Sequence, residues 1–137
     1  MSTDNAVTYT VAMIKAPTVG RGHAGDILTK ITQAGFVIVA LDHKKLCPTT
    51  IRALYKDHIE RPYFSDLENS VGNGRSVIAM VLAKKGDAIA DWRSLMGATS
   101  SKTAAPGTIR HAFGGHNYLG AAAPMADNAV HGSDSPA

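Results

Sequence analysis

The sequence predicts a mixed α/β domain, and three observations lead to that class. Stretches rich in β-forming residues alternate with stretches whose apolar residues recur at helical spacing. The length of 137 residues suits one domain with one core, which we expect to span residues 1–137. The composition, 45% hydrophobic and 18% charged, is that of an ordinary globular protein. From this pattern alone the sheet is either a parallel open sheet or a ferredoxin-like antiparallel one.

The first half of the chain contains two predicted strands separated by a helix. Residues 9–14 are rich in β-formers and predict the first strand. Residues 26–34 carry apolar side chains at helical spacing, and Gly35 is a suitable end for that helix. Residues 36–41 form an unbroken apolar run, which predicts a buried strand.

The middle of the chain continues the alternation. Residues 48–59 predict a helix that begins at a proline, and a short helix through Phe64 and Leu67 follows it. Residues 76–82 are β-branched and apolar and predict a third strand. Residues 87–96 predict a helix that stops before a glycine.

The chain changes character after Gly97, where Gly, Ala, Ser, Pro and Thr dominate and periodicity is weak. A loop of this length in a compact domain is usually functional or disordered. Because it holds Arg110, His111, His116 and His131, we expect it to be functional. Within it, residues 114–126 are low in complexity and are expected to be mobile at the surface.

Charge and composition exclude several classes of protein. The net charge of +3 is spread along the chain without a Lys/Arg block, so a nucleic-acid partner is not expected. No apolar run approaches the roughly 20 residues that span a bilayer, so no membrane partner is expected. The N-terminal residues show no secretory signal, and Cys47 is the single cysteine. A cytoplasmic location is therefore the simplest expectation.

Common nucleotide and metal motifs are absent or weak. No Gly-x-x-x-x-Gly-Lys-Ser/Thr run is present, which excludes a P-loop. The spacing of Gly20, Gly22 and Gly25 matches a dinucleotide-binding fingerprint, but the acidic residue expected after the next strand is poorly placed. The six histidines have neither a cysteine partner nor the spacing of a structural zinc site.

His131 is the candidate nucleophile. A neutral imidazole attacks well near physiological pH, and the small residue Gly132 beside it leaves room for a phosphate. An arbitrary histidine in such a segment is more often an ordinary surface residue, and lone cations are more often solvated than functional. Phosphoryl transfer depends on positioning and charge neutralisation. Four cations are candidates for that task, namely Lys15, Arg61, Arg93 and Arg110.

Several runs together resemble those of nucleoside diphosphate kinases and occur in the same order. The resemblance covers about residues 8 to 135, and the last run is the signature of that family. The runs are Lys15 after a strand, Tyr55-x-x-His58-x-x-Arg61-Pro62-Tyr63-Phe64, Arg93-x-Leu95-Met96-Gly97-Ala98-Thr99, Pro106-Gly107-Thr108-Ile109-Arg110, and Asn128-Ala129-Val130-His131-Gly132-Ser133-Asp134-Ser135.

The resemblance implies a ferredoxin-like βαββαβ core with an antiparallel sheet covered by helices. It implies a ping-pong reaction in which a nucleoside triphosphate such as ATP or GTP phosphorylates His131 and a nucleoside diphosphate takes the phosphate. Mg²⁺ would arrive with the nucleotide, and Asp134 would act on it through water. The resemblance implies that Tyr63 stacks on the base and that Tyr55 and Ser133 lie near the histidine. It implies contacts to phosphate and sugar for five residues, namely Lys15, Arg93, Thr99, Arg110 and Asn128.

Three departures from the family pattern matter. The family has Lys-Pro-Asp after the first strand, whereas this chain has Lys15-Ala16-Pro17. The stretch between Arg110 and Asn128 is longer than usual, which predicts a shift of Arg110 relative to the histidine. The family also continues into a helix whose Glu orients the catalytic imidazole, and no counterpart precedes Ala137, so a less firmly held imidazole is expected.

The resemblance leaves the function with alternatives. A nucleotide-binding pseudoenzyme or interaction scaffold of the same fold is the main one, favoured by the altered turn and the absent Glu. The retention of His131, Lys15, Arg93 and Arg110 counts against it. The family also forms dimers that assemble further, so we expect a homo-oligomer that is at least a dimer.

Overall fold

The computed structural model describes residues 6–62, 64–65, 68, 75–118 and 127–132 of the chain. Phe64, Ser65 and Glu68 have helical backbone where a short helix is predicted, while Leu67 lies outside the described residues. The elements are β1 (Val7–Ile14), α1 (Ala16–Gly20), α2 (Ala24–Gln33), β2 (Val37–Lys45), α3 (Pro48–Leu54), a 3-10 turn (Lys56–His58), β3 (Ser76–Lys85), α4 (Ala88–Met96), α5 (Ile109–Phe113), a second 3-10 turn (Gly115–Asn117) and β4 (Val130–Gly132).

The four strands form one sheet in the order β2-β3-β1-β4. Every neighbouring pair among them is antiparallel, with Val11 opposite Val81 in β1 and β3 and Ile14 opposite Val130 in β1 and β4. This is the ferredoxin-like arrangement, and α3 is added between β2 and β3. The antiparallel sheet confirms that fold and excludes the parallel alternative.

The main core lies between the sheet and helices α2 and α4. Ile27 and Ile31 of α2 and Trp92 of α4 are fully buried, and the Trp92 indole meets Phe36 edge to face with ring centroids 6.1 Å apart. Each fully buried side chain of this size contributes roughly 1.5–3 kcal/mol. The core therefore fixes α4 against the end of the sheet where β4 lies.

The second face of the sheet is covered over part of its area. At the C-terminal end of β1, the side chains of Met13, Ile51, Tyr55, Phe64 and Val77 form a smaller buried cluster beneath α3. Farther along β1 the same face is open, since Val7, Tyr9 and Val11 are 51%, 58% and 46% exposed. The covered end is also the end at which the candidate site is built.

Strand β2 corrects one prediction. Residues 36–41 were expected to be buried, whereas Val37, Val39 and Leu41 are 63%, 55% and 47% exposed. The reason is position, because β2 is an edge strand that pairs with β3 alone, with a register shift between Ile38 and Ala40. An apolar run is compatible with an edge strand as well as with a central one.

The segment after Gly97 contains more structure than its composition predicts. Helix α5, a 3-10 turn and strand β4 all lie in it. Gly114 and Gly115 are buried, so the expectation of a surface segment over residues 114–126 is wrong for these two. A Cβ atom at Gly114 would lie 2.1 Å from Cβ of Ser101, so the glycine allows close packing. Residues 119–126 lie outside the described residues.

Candidate active site

His131 lies on β4, whose backbone is held from two sides. Antiparallel pairing places His131 opposite Met13 of β1. On the helical side, Nε1 of Trp92 donates to the carbonyl oxygen of His131 at 3.4 Å. A Cβ atom at Gly132 would lie 2.5 Å from the Trp92 ring, so only glycine fits at that position. The histidine backbone is thus fixed between β1 and α4.

A strained residue precedes this strand. Ala129 has φ of +77°, in the left-handed region that alanine seldom adopts. Strain of this kind costs about 1–3 kcal/mol and persists only where the surroundings enforce it. Here the Lys15 amide donates to the carbonyl oxygen of Ala129 at 2.8 Å, so β1 helps to hold the bend.

The ring of Tyr55 forms one wall beside His131. The two ring centroids are 5.0 Å apart, with 57° between the ring planes. Tyr55 is 6% exposed, and this burial raises the pKa of its hydroxyl, although the nearby charge of Arg110 acts to lower it. The hydroxyl therefore stays protonated throughout the neutral range.

Arg110 connects the end of α4 to β4. Its Nη1 donates to the carbonyl oxygen of Gly97 and its Nη2 to that of Val130, each at 3.0 Å. Burial lowers the pKa of Arg110 to about 10, with Tyr55 raising it and Arg93 lowering it further. Arg110 is thus hydrogen-bonded to the residue that precedes His131.

Lys15 provides a second buried cation. Its side chain is only 2% exposed, and the residue caps α1, which begins at Ala16 with Pro17 in its first turn. The altered turn of the sequence is thus a short helix in the structure. Burial lowers the pKa of the Lys15 amine from 10.5 to about 7, the charge of Arg110 lowers it further, and that of Asp127 raises it.

Asn128, two residues before β4, is hydrogen-bonded to the loop that follows α4. Its Nδ2 donates to the carbonyl oxygen of Thr99 at 2.7 Å. Its Oδ1 and the Nε of Arg110 are buried without a hydrogen-bond partner among the described residues. Buried polar atoms are nearly always satisfied, so these two are suited to meet polar atoms of a ligand.

The structure brings together most of the predicted site residues. The positive charge of Arg93 lowers the pKa of Arg110. Arg61 is exposed and lines a separate surface depression with Lys56 and Glu60. The contacts above join seven predicted residues, namely Lys15, Tyr55, Arg93, Thr99, Arg110, Asn128 and His131. Tyr63, Ser133 and Asp134 lie outside the described residues.

Comparison with known proteins gives a clear answer. The family model for nucleoside diphosphate kinase matches residues 8–137, nearly the whole chain. The chain belongs to the nucleoside diphosphate kinase family. Members of this family move a phosphoryl group between nucleotides by a ping-pong mechanism, and the chain is accordingly an enzyme of the phosphotransferase class.

Individual relatives agree with this assignment. The chain is 45% identical over 132 residues to nucleoside diphosphate kinase of Moorella thermoacetica, covering 96% of this chain and 88% of that protein. It is 42% identical over 127 residues to the nucleoside diphosphate kinase of Trichlorobacter lovleyi, and the match covers 93% of this chain and 85% of that protein.

Solved structures of family members have the same fold. The Aquifex aeolicus nucleoside diphosphate kinase superposes with a TM-score of 0.81 at 35% identity, over 96% of this chain and 88% of that one. The Halobacterium salinarum enzyme, solved in complex with CDP, superposes with a TM-score of 0.78 at 33% identity. The match covers 93% of this chain and 77% of that one.

Two charged residues at the site of this family member escaped the sequence analysis. Asp127 is 1% exposed, and both of its carboxylate oxygens contact Arg21. One signal for Asp127 is its place, an acidic residue immediately before Asn128 and close in sequence to His131. Arg21 lies between Gly20 and Gly22, where attention falls on the glycine spacing instead.

Proposed function

We propose that this chain transfers the γ-phosphate of a nucleoside triphosphate to a nucleoside diphosphate through a phosphohistidine at His131. The observation that carries the proposal is the position of Arg110, whose guanidinium is bonded to the carbonyl oxygen of Val130, one residue before His131. This bond fixes a positive charge against the backbone next to His131, and a transferring phosphoryl group needs such a charge nearby.

Two in-line displacements make up the reaction. In the first, a ring nitrogen of His131 attacks the γ-phosphorus, a P–N bond forms, the P–O bond to the β-phosphate breaks, and the nucleoside diphosphate leaves. In the second, a β-phosphate oxygen of the acceptor attacks, the P–N bond breaks, and the new triphosphate leaves. The Tyr55 ring, 5.0 Å from the imidazole by centroids, limits the orientations that the imidazole can take.

The surrounding residues supply charge and position. Lys15, Arg93 and Arg110 neutralise phosphate oxygens, and the buried Nε of Arg110 gains a partner when the nucleotide binds. Thr99 and Asn128 contact phosphate and sugar, with Oδ1 of Asn128 available to accept from a hydroxyl. For Ser133, which lies outside the described residues, we propose a role near the histidine.

Tyr63 is proposed to stack on the base. A π face is tolerant of base identity, which suits an enzyme that uses ATP, GTP and other nucleotides. Tyr63→Ala should weaken the binding of every nucleotide to a similar extent, because each loses the same stack. The expected loss of binding free energy is on the order of 1–3 kcal/mol. A loss confined to one base, measured by competition between ADP, GDP, CDP and TDP, contradicts the stacking role.

The family reaction uses a divalent cation, and we propose Mg²⁺. Among the described residues no group of three or more His, Cys, Asp or Glu is placed to hold a metal ion. The described donors at the site are cations and amides, and this set fits a cation that is held by the phosphates of the nucleotide. Asp134 would reach the ion through water. Bound Mg²⁺ supplies neutralisation of phosphate charge.

Labelling of the protein tests the proposal. Incubation with γ-³²P-ATP should label the wild type, and the label should be lost in acid and stable in base, as phosphohistidine chemistry requires. Addition of unlabelled GDP should move the label to GTP. His131→Ala should take up no label, whereas His111→Ala, a matched change in the same segment, should label fully. Equal labelling of wild type and His131→Ala would favour the nucleotide-binding pseudoenzyme. No contact among the described residues favours that alternative.

We also propose that residues 1–137 act as one domain, in the cytoplasm, as a homo-oligomer. The exposed Val37, Val39 and Leu41 lie on the edge strand β2, whose outer backbone groups are able to pair with a second copy. The exposed free thiol of Cys47 suits a reducing compartment. Among the described residues no helix is long and apolar enough to cross a membrane.

A further inference from the structure

The backbone turns sharply at Ala129, two residues before His131. Its φ is +77°, and the amide of Val130 donates to the carbonyl oxygen of Asn128 at 3.0 Å. A positive φ and a hydrogen bond across three residues are the features of a γ-turn of the rare and strained kind. In the described part of the chain, Ala129 is the one residue other than glycine with a positive φ. The turn determines how Asn128 lies relative to His131.

The chain after this turn is held by the sheet and by one arginine. Val130 and His131 pair with Ile14 and Met13 of β1 in antiparallel register. Nη2 of Arg110 donates to the carbonyl oxygen of Val130 at 3.0 Å. Strand β4 is therefore fixed, and it cannot shift to relieve the strain at the turn without breaking these contacts.

The chain before the turn is held by the ion pair of Asp127 with Arg21. Nη1 of Arg21 donates to Oδ1 at 3.1 Å and Nη2 to Oδ2 at 2.6 Å, and this two-point contact fixes the orientation of the carboxylate. The Asp127 side chain is only 2% exposed, so water competes little for it. The amide of Gly115 donates to the carbonyl oxygen of Asp127, so the backbone of this residue is fixed as well.

Helix α1 contacts both sides of the turn. At its start, the amide of Lys15 donates to the carbonyl oxygen of Ala129 at 2.8 Å. At its end, Arg21 is the C-cap residue and reaches the Asp127 carboxylate. The guanidinium also lies over the ring of Tyr118, 4.3 Å from its centroid, which limits its movement. Residues 127 and 129 are thus held by the two ends of one short helix.

A strained backbone persists only where the surrounding structure enforces it. Relaxation of Ala129 to a negative φ would change the direction of the chain between Asn128 and Val130. It would therefore break either the contacts of β4 or the ion pair of Asp127. The contacts of β4 belong to the sheet, whereas Arg21 and Asp127 have no role of their own in the proposed reaction.

We propose that Arg21 and Asp127 are positioning residues for phosphoryl transfer. Their ion pair enforces the left-handed turn at Ala129, and the turn sets the Asn128 side chain relative to the His131 imidazole. This inference rests on the proposed roles of Asn128 and His131 in the reaction. Misplacement of such groups by about 1 Å costs up to about 10²-fold in rate, so a relaxed turn should lower kcat.

Replacement of Ala129 by glycine tests the role, because glycine adopts a positive φ without strain. In the natural background, Asp127→Asn should lower kcat by about tenfold, with a smaller change in KM. In the Ala129→Gly background, the same change should lower kcat by less than about threefold, because the turn no longer needs to be enforced. An equal loss in the two backgrounds, or no loss in either, overturns the proposal.

Two control variants accompany this test. Ala105 is exposed in a loop and has no positive φ, so in an Ala105→Gly background Asp127→Asn should still lose about tenfold in kcat. A rescue by Ala105→Gly shows that added flexibility, rather than the turn at Ala129, restores activity, and it counts against the proposal. Asp91→Asn breaks the exposed pair with Lys84 and should leave kcat unchanged.

Hydrogen exchange of the nucleotide-free protein, followed by NMR, gives a readout that does not depend on activity. In Asp127→Asn the amide of Val130, which closes the turn, should exchange about tenfold faster than in the wild type. The amide of Ile31, in the buried face of α2, reports opening of the whole fold and should change less. Ala129→Gly should restore the protection of Val130 in the Asp127→Asn background.

The exchange data separate three outcomes. If Val130 and Ile31 gain the same factor in exchange rate, the ion pair only stabilises the fold and the proposal is wrong. If Val130 alone is affected and glycine restores its protection, the enforced turn is supported. If the wild type takes up no label at His131 while exchange follows this second pattern, the proposed function fails and the enforced turn stands.

A double substitution covers the risk that Asp127→Asn leaves the charge of Arg21 unpaired and disturbs the fold. Arg21→Gln/Asp127→Asn removes both charges, and its effects on kcat and on Val130 exchange should match those of Asp127→Asn. Arg21→Lys keeps the charge but loses the two-point contact, so it should give a smaller loss of the same kind. Wild-type kcat and wild-type Val130 exchange in the double variant overturn the proposal.

Discussion

The imidazole of His131 and the ring of Tyr55 lie with their centroids 5.0 Å apart, at an angle of 57°. They come from different elements, since His131 is on β4 and Tyr55 follows α3. Tyr55 is also part of the small apolar cluster beneath α3, with Met13 and Ile51. The aromatic wall beside the nucleophile is thus supported by the second core.

Substitutions at Tyr55 should distinguish the contribution of the ring to kcat from that of the hydroxyl. Tyr55→Phe keeps the wall and should lower kcat by about tenfold or less, while Tyr55→Ala frees the imidazole and should lower it by about 10²-fold. Steady-state transfer from ATP to TDP measures both. Similar losses in the two variants show that the hydroxyl, rather than the ring, carries the effect.

The buried amine of Lys15 should make stability depend on pH. Its pKa is about 7 in the folded protein and 10.5 when exposed, so the unfolded chain binds more protons between these values. The free energy of unfolding should therefore rise with pH, by about 1.4 kcal/mol for each pH unit above pH 7. Urea unfolding at fixed protein concentration measures this slope. Lys15→Met should remove it, whereas Lys102→Met, at an exposed lysine, should keep it.

Gly132 should tolerate no side chain. An added Cβ atom would lie 2.5 Å from Cδ1 and Nε1 of Trp92 and 3.0 Å from Cε of Met96. Trp92 is fully buried and has no room to retreat, so Gly132→Ala should cost about 1–3 kcal/mol of stability and displace His131. Gly20→Ala meets nothing within 4 Å and is the matched control. Equal stability of the two variants by urea unfolding contradicts this packing argument.

The sequence predicted the elements that local pattern determines. Strands β1 and β3 and helices α2 and α4 were found near their observed bounds, because their apolar residues repeat at strand or helix spacing over eight to ten residues. Strand β4 has three residues and exists through pairing with the distant β1, which leaves no local periodicity to detect. The edge position of β2 is likewise a property of the assembled sheet.

The same distinction between local pattern and tertiary packing applies to the residues of the site. The identities of Lys15, Arg110 and His131 were available from short runs that resemble a family. The pairing of Arg21 with Asp127 was not, because 106 positions separate them and neither stands in a recognisable motif. The burial of Lys15, and with it the lowered pKa, follows from tertiary packing that no local pattern encodes.

The exposed edge of the sheet leads to the last prediction. Val37, Val39 and Leu41 present apolar side chains on β2, next to backbone groups that have no strand on their outer side in the described part of the chain. Two copies related by a two-fold axis would pair these edges antiparallel and bury the side chains.

A charge placed on this edge should therefore separate the subunits. Leu41→Lys should convert a dimer, or a larger assembly, to smaller species at micromolar concentration, because burying an unpaired ammonium at the interface is costly. Light scattering coupled to gel filtration measures the mass, and circular dichroism checks that the fold is kept. Ala90→Lys adds the same charge at an exposed position of α4 and should leave the mass unchanged. If Leu41→Lys keeps the wild-type mass, or if the wild type is itself a monomer, β2 is not the subunit contact.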